Sequence, residues 1–555
     1  NYTFSGKAIE PFKKWKPVQK NKNFAIIKNF NLFLLPKNIA FSNEYSRIFN
    51  QRQIRNNLVP DYEFQPVYLK RFDLIRNYQI GYDITKNIKT TFSAVNKSIF
   101  EEGNHGIDRK LDPEGYREFL DTVNAQINTG GVTMDYTHNY SVAYTLPFDK
   151  FPLTNWISGN TKYTGTFNWQ RAPLGQSSFG NTIQNNRAIN MTLQGNFITL
   201  YNKSPFLKKV LGAGTSRNNL NTKTPEGKVD KKDGDKKVPE KIEEFKPDKP
   251  IDQMTPKEFR QYERKKRKWE RKKENEKRKK EKEKEKVPFL NGSLARMLMT
   301  VRNISGTYAL NDGTLLPGFN QETSVLGMNG STTELAGFIF GKQGYDAFGR
   351  PNGYNVADLA RNNNWLVQNE NLNTQFTTTH SANLNLKSTL EPLRDLIINL
   401  NVTRNYSNNS SAFYRWNPDD LEFQNQSQFS TENLTYSTIT MNSAFVKPGA
   451  ENSSAVFTQL LANRILVSNL IGAQNSNSSL LPSGYNNGYS GSQQDVVVGA
   501  FLTAYSGNKI SDRTINPLNN IPLPNWTINY TGLTKFKFTK KFLKNFKLNH
   551  AYTST

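Results

Sequence analysis

Residues 132–146 read Val-Thr-Met-Asp-Tyr-Thr-His-Asn-Tyr-Ser-Val-Ala-Tyr-Thr-Leu. Every second position, Val132, Met134, Tyr136, His138, Tyr140, Val142, Tyr144 and Leu146, is apolar or aromatic. The alternate set is Thr133, Asp135, Thr137, Asn139, Ser141, Ala143 and Thr145. A period of two held this long describes a β-strand with one apolar and one polar face. A turn from Pro147 to Pro152 follows, and the chain runs back through Ile157, Gly159, Thr161, Tyr163, Gly165, Phe167 and Trp169. These alternate with Ser158, Asn160, Lys162, Thr164, Thr166, Asn168 and Gln170. Strands of soluble domains are usually about five or six residues long. A tilted strand crossing a bilayer needs roughly 9–11, with aromatic girdles at both interfaces. The stretch therefore predicts an outer-membrane β-barrel hairpin. On that reading Asp135, Thr137, Asn139, Ser141 and Asn160 face a wet lumen. Tyr136, Tyr140, Val142, Tyr144, Tyr163 and Phe167 face lipid.

The same period recurs on both sides of this hairpin. Phe72, Leu74, Tyr78, Ile80 and Tyr82 turn at Thr85–Asn87 into Ile88, Thr90, Phe92 and Ala94. Ile189, Met191 and Leu193 continue it, as do Leu384 and Leu386. Leu396, Ile398, Leu400 and Val402 are opposed by Asn399 and Asn401, which join the lumen-facing set. Further strands are expected over Phe24–Leu34, Ile39–Gln51, Ser293–Leu310 and Leu434–Phe445, with a last hairpin around Lys540-Lys541. Helical pieces are expected over Tyr116–Ile127 and 457–466. The short turns 85–87, 147–155, 390–395 and 539–545 alternate with long polar stretches at 97–131, 171–186, 311–373 and 408–433. Short turns on one side and long loops on the other describe bacterial outer-membrane barrels. The expected fold is all-β: part of a very large transmembrane antiparallel β-barrel, with about thirteen strands shared between 1–211 and 289–555. The sequence starts at Asn1 without a leader and stops at Thr555 within a strand-like pattern, so it reads as a piece of a larger polypeptide.

Residues 212–288 are different material, dominated by Lys, Glu, Asp and Pro. Within them Gly227 to Lys249 have almost nothing to bury, so disorder is expected there. Thr255-Pro-Lys-Glu258 is a capping box with Pro at the first helical position, opening a charged segment that runs to Lys286. Seventeen Lys/Arg against eight Asp/Glu between Thr255 and Lys286 give a local +9 of the total +26. A spacer on the short-turn side, hence periplasmic, is the plain reading. Contact with anionic lipid headgroups or an acidic partner is the alternative. Nucleic acid is not expected, since no stacking platform accompanies the charge.

No chemistry-bearing constellation emerges. The chain has no cysteine, which removes disulfides, thiolate catalysis and Cys-ligated metal. Among four histidines, His138, His380 and His550 share the phase of apolar neighbours and lack metal-ligand spacing. Carboxylates are scattered, and Gly330, Gly341, Gly344 and Gly353 lack the strand-to-helix context of a phosphate loop. The chain is expected not to be an enzyme and to need no cofactor or metal. No apolar run approaches the ~18 residues of a spanning helix, so helical membrane anchoring is not expected.

Arg296-Met-Leu-Met-Thr-Val-Arg-Asn-Ile-Ser-Gly-Thr-Tyr308, followed by Leu315-Leu-Pro-Gly-Phe319, gives the sequence a family likeness. With Gly180-Asn-Thr-Ile-Gln-Asn185, Leu146-Pro-Phe-Asp-Lys-Phe-Pro152 and Ala500-Phe-Leu-Thr-Ala-Tyr-Ser-Gly507, it resembles the outer-membrane translocon of the Bacteroidota type IX secretion system, the SprA or Sov family. The resemblance covers most of the chain outside 212–288. It implies a giant single-chain barrel in the outer membrane that exports folded cargo proteins bearing a C-terminal signal. It also implies a lateral opening, a PorV-type shuttle barrel and a periplasmic plug as partners, and outer-membrane lipid as surroundings. Two other classes compete: a nutrient-transporter barrel, which needs a plug domain and an energy-coupling segment, and a β-rich surface adhesin, which needs shorter strands.

Overall fold

The computed structural model describes residues 1–15, 25–55, 66–102, 109–110, 113–173, 175–212, 297–324, 326–515, 520–535 and 545–555, with scattered residues between. Thirteen strands form one antiparallel sheet. They are β1 (Tyr2–Thr3), β2 (Asn38–Arg52), β3 (Val67–Asp83), β4 (Ile88–Phe100), β5 (Val132–Leu146), β6 (Ile157–Gln170) and β7 (Asn181–Asn196). The series continues with β8 (Val301–Phe319), β9 (Phe376–Leu393), β10 (Leu396–Asn417), β11 (Glu422–Tyr436), β12 (Asn525–Tyr530) and β13 (Leu548–Tyr552). From β1 to β10 each strand pairs with the next in sequence, as an up-and-down meander requires. The all-β expectation stands. The sheet is open, and among the described residues β1 does not pair with β13.

β10 is the longest strand, at 22 residues, and its far edge is shared. Arg404 to Asn417 pair with β11, while Leu396 to Asn401 pair with β12. The sheet therefore forks near Thr403, whose carbonyl accepts the Ser437 N–H at 2.9 Å where the chain leaves β11. The described part of the connection between the two branches, 437–515 and 520–524, carries two long helices.

Connections at one end of the sheet are short. β3 to β4 uses 84–87, and β9 to β10 turns on Arg394-Asp395, with Asp395 in the left-handed region at φ 68°. At the other end α1 (Pro113–Thr129) lies between β4 and β5. It starts on a proline at its first turn and stops at Gly130, whose φ of 87° closes the helix with an N–H to the Gln126 carbonyl at 2.8 Å. The connection 320–375 includes α2 (Val356–Asn362), capped by the Asn355 side chain, which accepts the Ala357 N–H at 2.9 Å. α3 (Ala455–Gly472) and α4 (Gln494–Ser506) complete the helices that matter here.

Several expectations need correction. The polar stretch 408–433 is not a loop: it is the upper part of β10 and most of β11, joined by 418–421. Ser and Asn occupy both phases there, so no apolar alternation announces the strands. The strand expected over Phe24–Leu34 is replaced, in its described part, by a helical turn at Ala25–Lys28 and a single bridge from Ile9 to Leu32. β8 runs on to Phe319, which shortens the 311–373 loop, and β7 starts at Asn181, which shortens 171–186. The expected helix 457–466 is the middle of the longer α3, which in length and composition is apolar enough to cross a membrane. Its Asn, Ser and Thr residues hide that property from a search for unbroken apolar runs. The insertion 212–288 lies almost wholly outside the described residues, although the described positions between 262 and 274 are helical.

Candidate functional site

Antiparallel register assigns every strand residue to one of two faces, because directly paired residues point the same way. One row runs Tyr140↔Gly165↔Arg187↔Asp312↔His380↔Asn408↔Glu432. Its neighbour on the opposite face runs Asn139↔Thr166↔Asn186↔Gly313↔Thr379↔Asn409. Followed through the sheet, the register gathers Asp135, Thr137, Asn139, Ser141, Asn160, Asn399 and Asn401 onto one face. It gathers Tyr136, Tyr140, Val142, Tyr144, Tyr163 and Phe167 onto the other.

The first face is a field of short polar side chains. Across β5 to β10 it presents Thr, Asn, Ser and Gln at nearly every position, including Thr164, Asn186, Thr192, Asn311, Ser381, Asn385 and Ser407. These groups bond to one another across strands. The Thr166 hydroxyl donates to Asn139 Oδ1 at 2.7 Å, Asn168 Nδ2 to Thr137 Oγ1 at 2.8 Å, and Thr389 to Asn399 Oδ1 at 3.1 Å. Thr91 and Ser141 share a hydroxyl bond of 2.7 Å. Such pairs fix rotamers without using up the hydrating capacity of the surface.

The second face is divided along its length. Toward the short-turn end Tyr78, Ile80, Val142, Tyr144, Leu193, Ile304 and Leu386 remain between 36 and 43 % exposed, a belt of large apolar side chains. Toward the opposite end the connection 320–375 folds down over the sheet. Phe338, Ile339, Val356, Ala360 and Trp365 from this connection bury Tyr136, Phe167, Trp169, Ile183 and Leu316 from the strands. Phe167 and Phe338 meet edge to face at 6.2 Å. Tyr136 is 4 % exposed and Phe167 is fully buried, so the expected lipid contact does not hold for these two residues: the 320–375 connection covers them. His138, also fully buried, packs beneath Phe340 with ring centroids 5.8 Å apart.

Between the covered zone and the belt lies a charged cluster. Arg187, Asp312 and His380 stand on successive strands in one row and are all buried. Arg187 Nε donates to Asp312 Oδ2 at 3.0 Å, and Arg187 Nη2 makes a second, shorter bond to the same oxygen. His380 Nδ1 meets Asp312 Oδ1 at 2.6 Å. The 320–375 connection closes over them: Tyr345 stacks on His380 with centroids 3.6 Å apart and planes 11° from parallel. Arg187 Nη2 also donates to the Tyr345 carbonyl at 3.0 Å, and Asn408 Nδ2 to the Tyr345 hydroxyl at 3.4 Å. Buried charges are costly unless paired and hydrogen-bonded, and here both conditions are met. Gly341, at φ 92°, passes so close to Tyr163 that a Cβ would lie 2.0 Å from its hydroxyl. Burial raises the Tyr354 hydroxyl of this connection to about 12. In the turn that precedes it the Arg350 and Phe348 backbone N–H groups and the Arg350 side chain hold the Asp346 carboxyl below its usual range.

Sequence reasoning did not single out Arg187, Asp312 or Tyr345. The signal was present as ionisable residues interrupting the apolar phase of three strands, but the partners are 125 and 68 residues apart. His550, on the phase of its apolar neighbours, is exposed and stacks on Trp526 with ring centroids 6.4 Å apart. Among the described residues no three His, Asp or Glu side chains converge as metal ligands would. Compared with known proteins, the chain matches no family model and no curated relative.

Proposed function

We propose that this chain forms part of the wall of a protein-conducting channel in the bacterial outer membrane, a translocon for folded cargo with C-terminal secretion signals. The observation that carries the reading is the polar face, a field of Asn, Thr, Ser and Gln over β5 to β10 with its own cross-strand bonds. A folded protein moving along a wall needs a hydrated surface without large apolar patches, on which it would stick. The opposite face suits a bilayer over its short-turn half, where the belt is uncovered, and β2 to β11, at 13 to 22 residues, exceed the roughly 9–11 a membrane crossing takes. The surplus length toward the other end carries the 320–375 connection, which in this reading is a cap standing outside the hydrocarbon. A PorV-type shuttle, a periplasmic plug and the cargo itself are the partners the reading calls for. No catalytic step is assigned, and transport energy is supplied by other components.

The test is electrical. The intact protein, purified without plug or shuttle and placed in a planar lipid bilayer, is expected to conduct ions in large steps. A correctly folded, membrane-inserted protein that stays closed would overturn the wide-lumen reading.

A further inference from the structure

The two helices that leave the sheet at the fork have an inverted polarity. On α3 the buried residues are Asn463, Val467, Ser468 and Gly472, and on α4 they are Val496, Gly499, Ala500 and Thr503. The large apolar side chains Phe457, Leu461, Ile465, Leu466 and Phe501 point outward and are exposed. Only 22 % of α3 is buried. An amphipathic helix pair standing in water arranges itself the other way round. We propose that the α3–α4 hairpin is embedded in the bilayer, with its outer surface against acyl chains; this rests on the membrane reading of the sheet.

Three further observations point to lipid. Two buried polar side chains of α3 bond inward: Asn463 Nδ2 donates to Thr503 Oγ1 at 3.0 Å, and the Ser468 hydroxyl to the Tyr489 carbonyl at 2.6 Å. Small residues bring the helices together, with Gly499 so close to Val467 that a Cβ would lie 3.0 Å from its Cγ1. Small residues and interhelical hydrogen bonds at the contact are how helices associate where lipid removes the hydrophobic drive to pair. Charge is complementary to a bilayer as well. Arg464 and Asp495 are the only Lys, Arg, Asp or Glu between Ala455 and Ser506. Arg464, midway along α3, turns inward and donates to the Gly491 carbonyl at 3.1 Å, and Asp495 sits in the first turn of α4. Lys447, Glu451 and Lys509 flank the pair and are exposed. The large side chains that face outward from α3 are uncharged, and the exposed charges lie at or beyond the ends of the pair, as hydrocarbon between headgroups requires. The eighteen residues of α3 rise ~27 Å, close to the ~25 Å apolar band of an outer membrane.

The natural absence of cysteine makes the test direct. The intact protein, reconstituted alone in phospholipid vesicles, carries a nitroxide at Leu466→Cys, Phe501→Cys, Asn477→Cys or, on the sheet belt, Val142→Cys. Collisions with oxygen and with a water-soluble nickel chelate are then compared. Leu466 and Phe501 are both exposed, so either substitution is tolerated by the fold and each reports independently. The expected result is oxygen access with nickel exclusion at 466, 501 and 142, and the inverse at 477. Nickel access at 466 and 501 with Val142 protected would overturn the inference, leave the membrane reading standing, and point to a surface for a protein partner. Exclusion of both reagents at 466 and 501 would overturn it too, in favour of a second copy. Nickel access at 142 as well would overturn both readings.

Discussion

Replacing Asp312 with alanine should release the 320–375 connection while leaving the sheet intact. Asp312 is 4 % exposed and holds two partners, Arg187 through both Nε and Nη2 and His380 through Nδ1 at 2.6 Å. Removing one member of a buried ion pair costs about 3–5 kcal/mol, because the remaining charge stays buried. Arg187 keeps the Tyr345 carbonyl at 3.0 Å and the Asp346 carbonyl at 3.4 Å, so the lower end, about 3 kcal/mol, is expected. At 1.4 kcal/mol per decade that is roughly a hundredfold or more in the opening equilibrium. The loss is local, since the backbone ladders of β7, β8 and β9 do not depend on the carboxylate. Hydrogen exchange followed by mass spectrometry reads it: peptides spanning 338–350 lose protection by that factor, and peptides of β5 and β6 do not. Asp312→Asn, which keeps an acceptor but not the charge, falls between wild type and alanine. Unchanged exchange over 338–350 in the alanine variant, or equal losses in β5 and β6, would refute the latch argument.

Three other outcomes are expected. In reconstituted protein, Asn139→Cys and Asn399→Cys react with a water-soluble maleimide while Val142→Cys and Tyr144→Cys do not. Phe167→Cys stays protected even in detergent, because protein rather than lipid covers it, and the reverse pattern would exchange the two faces. Deletion of 212–288 with a short joining turn leaves export intact, since closure entropy changes by only about 0.6 kcal/mol per doubling of length; lost export from a normally assembled protein would instead assign the insertion a docking role. The turn at Asp346 loosens only in acid. Its carboxyl is held below the ordinary 3.8 by the Arg350 and Phe348 N–H groups, so the contribution is full above that value and is lost as pH falls through the lowered one. Exchange at Phe348 and Arg350, corrected for intrinsic rates, is therefore flat above that range and rises below it, and Asp346→Asn abolishes the pH dependence.

Strands whose two faces meet different surroundings were legible, because burial of one face writes a period of two into the chain. Val132 to Leu146 and Ile157 to Gln170 are found at the positions their alternation predicts, as is the division of residues between faces. The upper β10 and β11 were not legible, since Asn and Ser occupy both faces and leave no contrast. The Arg187–Asp312–His380 cluster was half legible: each residue stands out against its own strand, but only pairing across a charged insertion and a long connection brings them together. The helix at 457–466 was legible, but its extension into the longer, apolar α3 was not, because Asn463, Arg464 and Ser468 interrupt the apolar run.

The fork at Thr403 changes the arithmetic of closing a cylinder. An unbranched ribbon of strands has two borders, and joining them makes a tube. This ribbon has three: β1, the outer edge of β11, and β13, none of which meets another among the described residues. The β11 edge and the β13 edge lie on the same side of β10 at different heights, so one long strand laid along both would reduce three borders to two. Without such a strand the stretch beside β11 stays open, and its N–H and C=O groups need another protein segment wherever water cannot reach them.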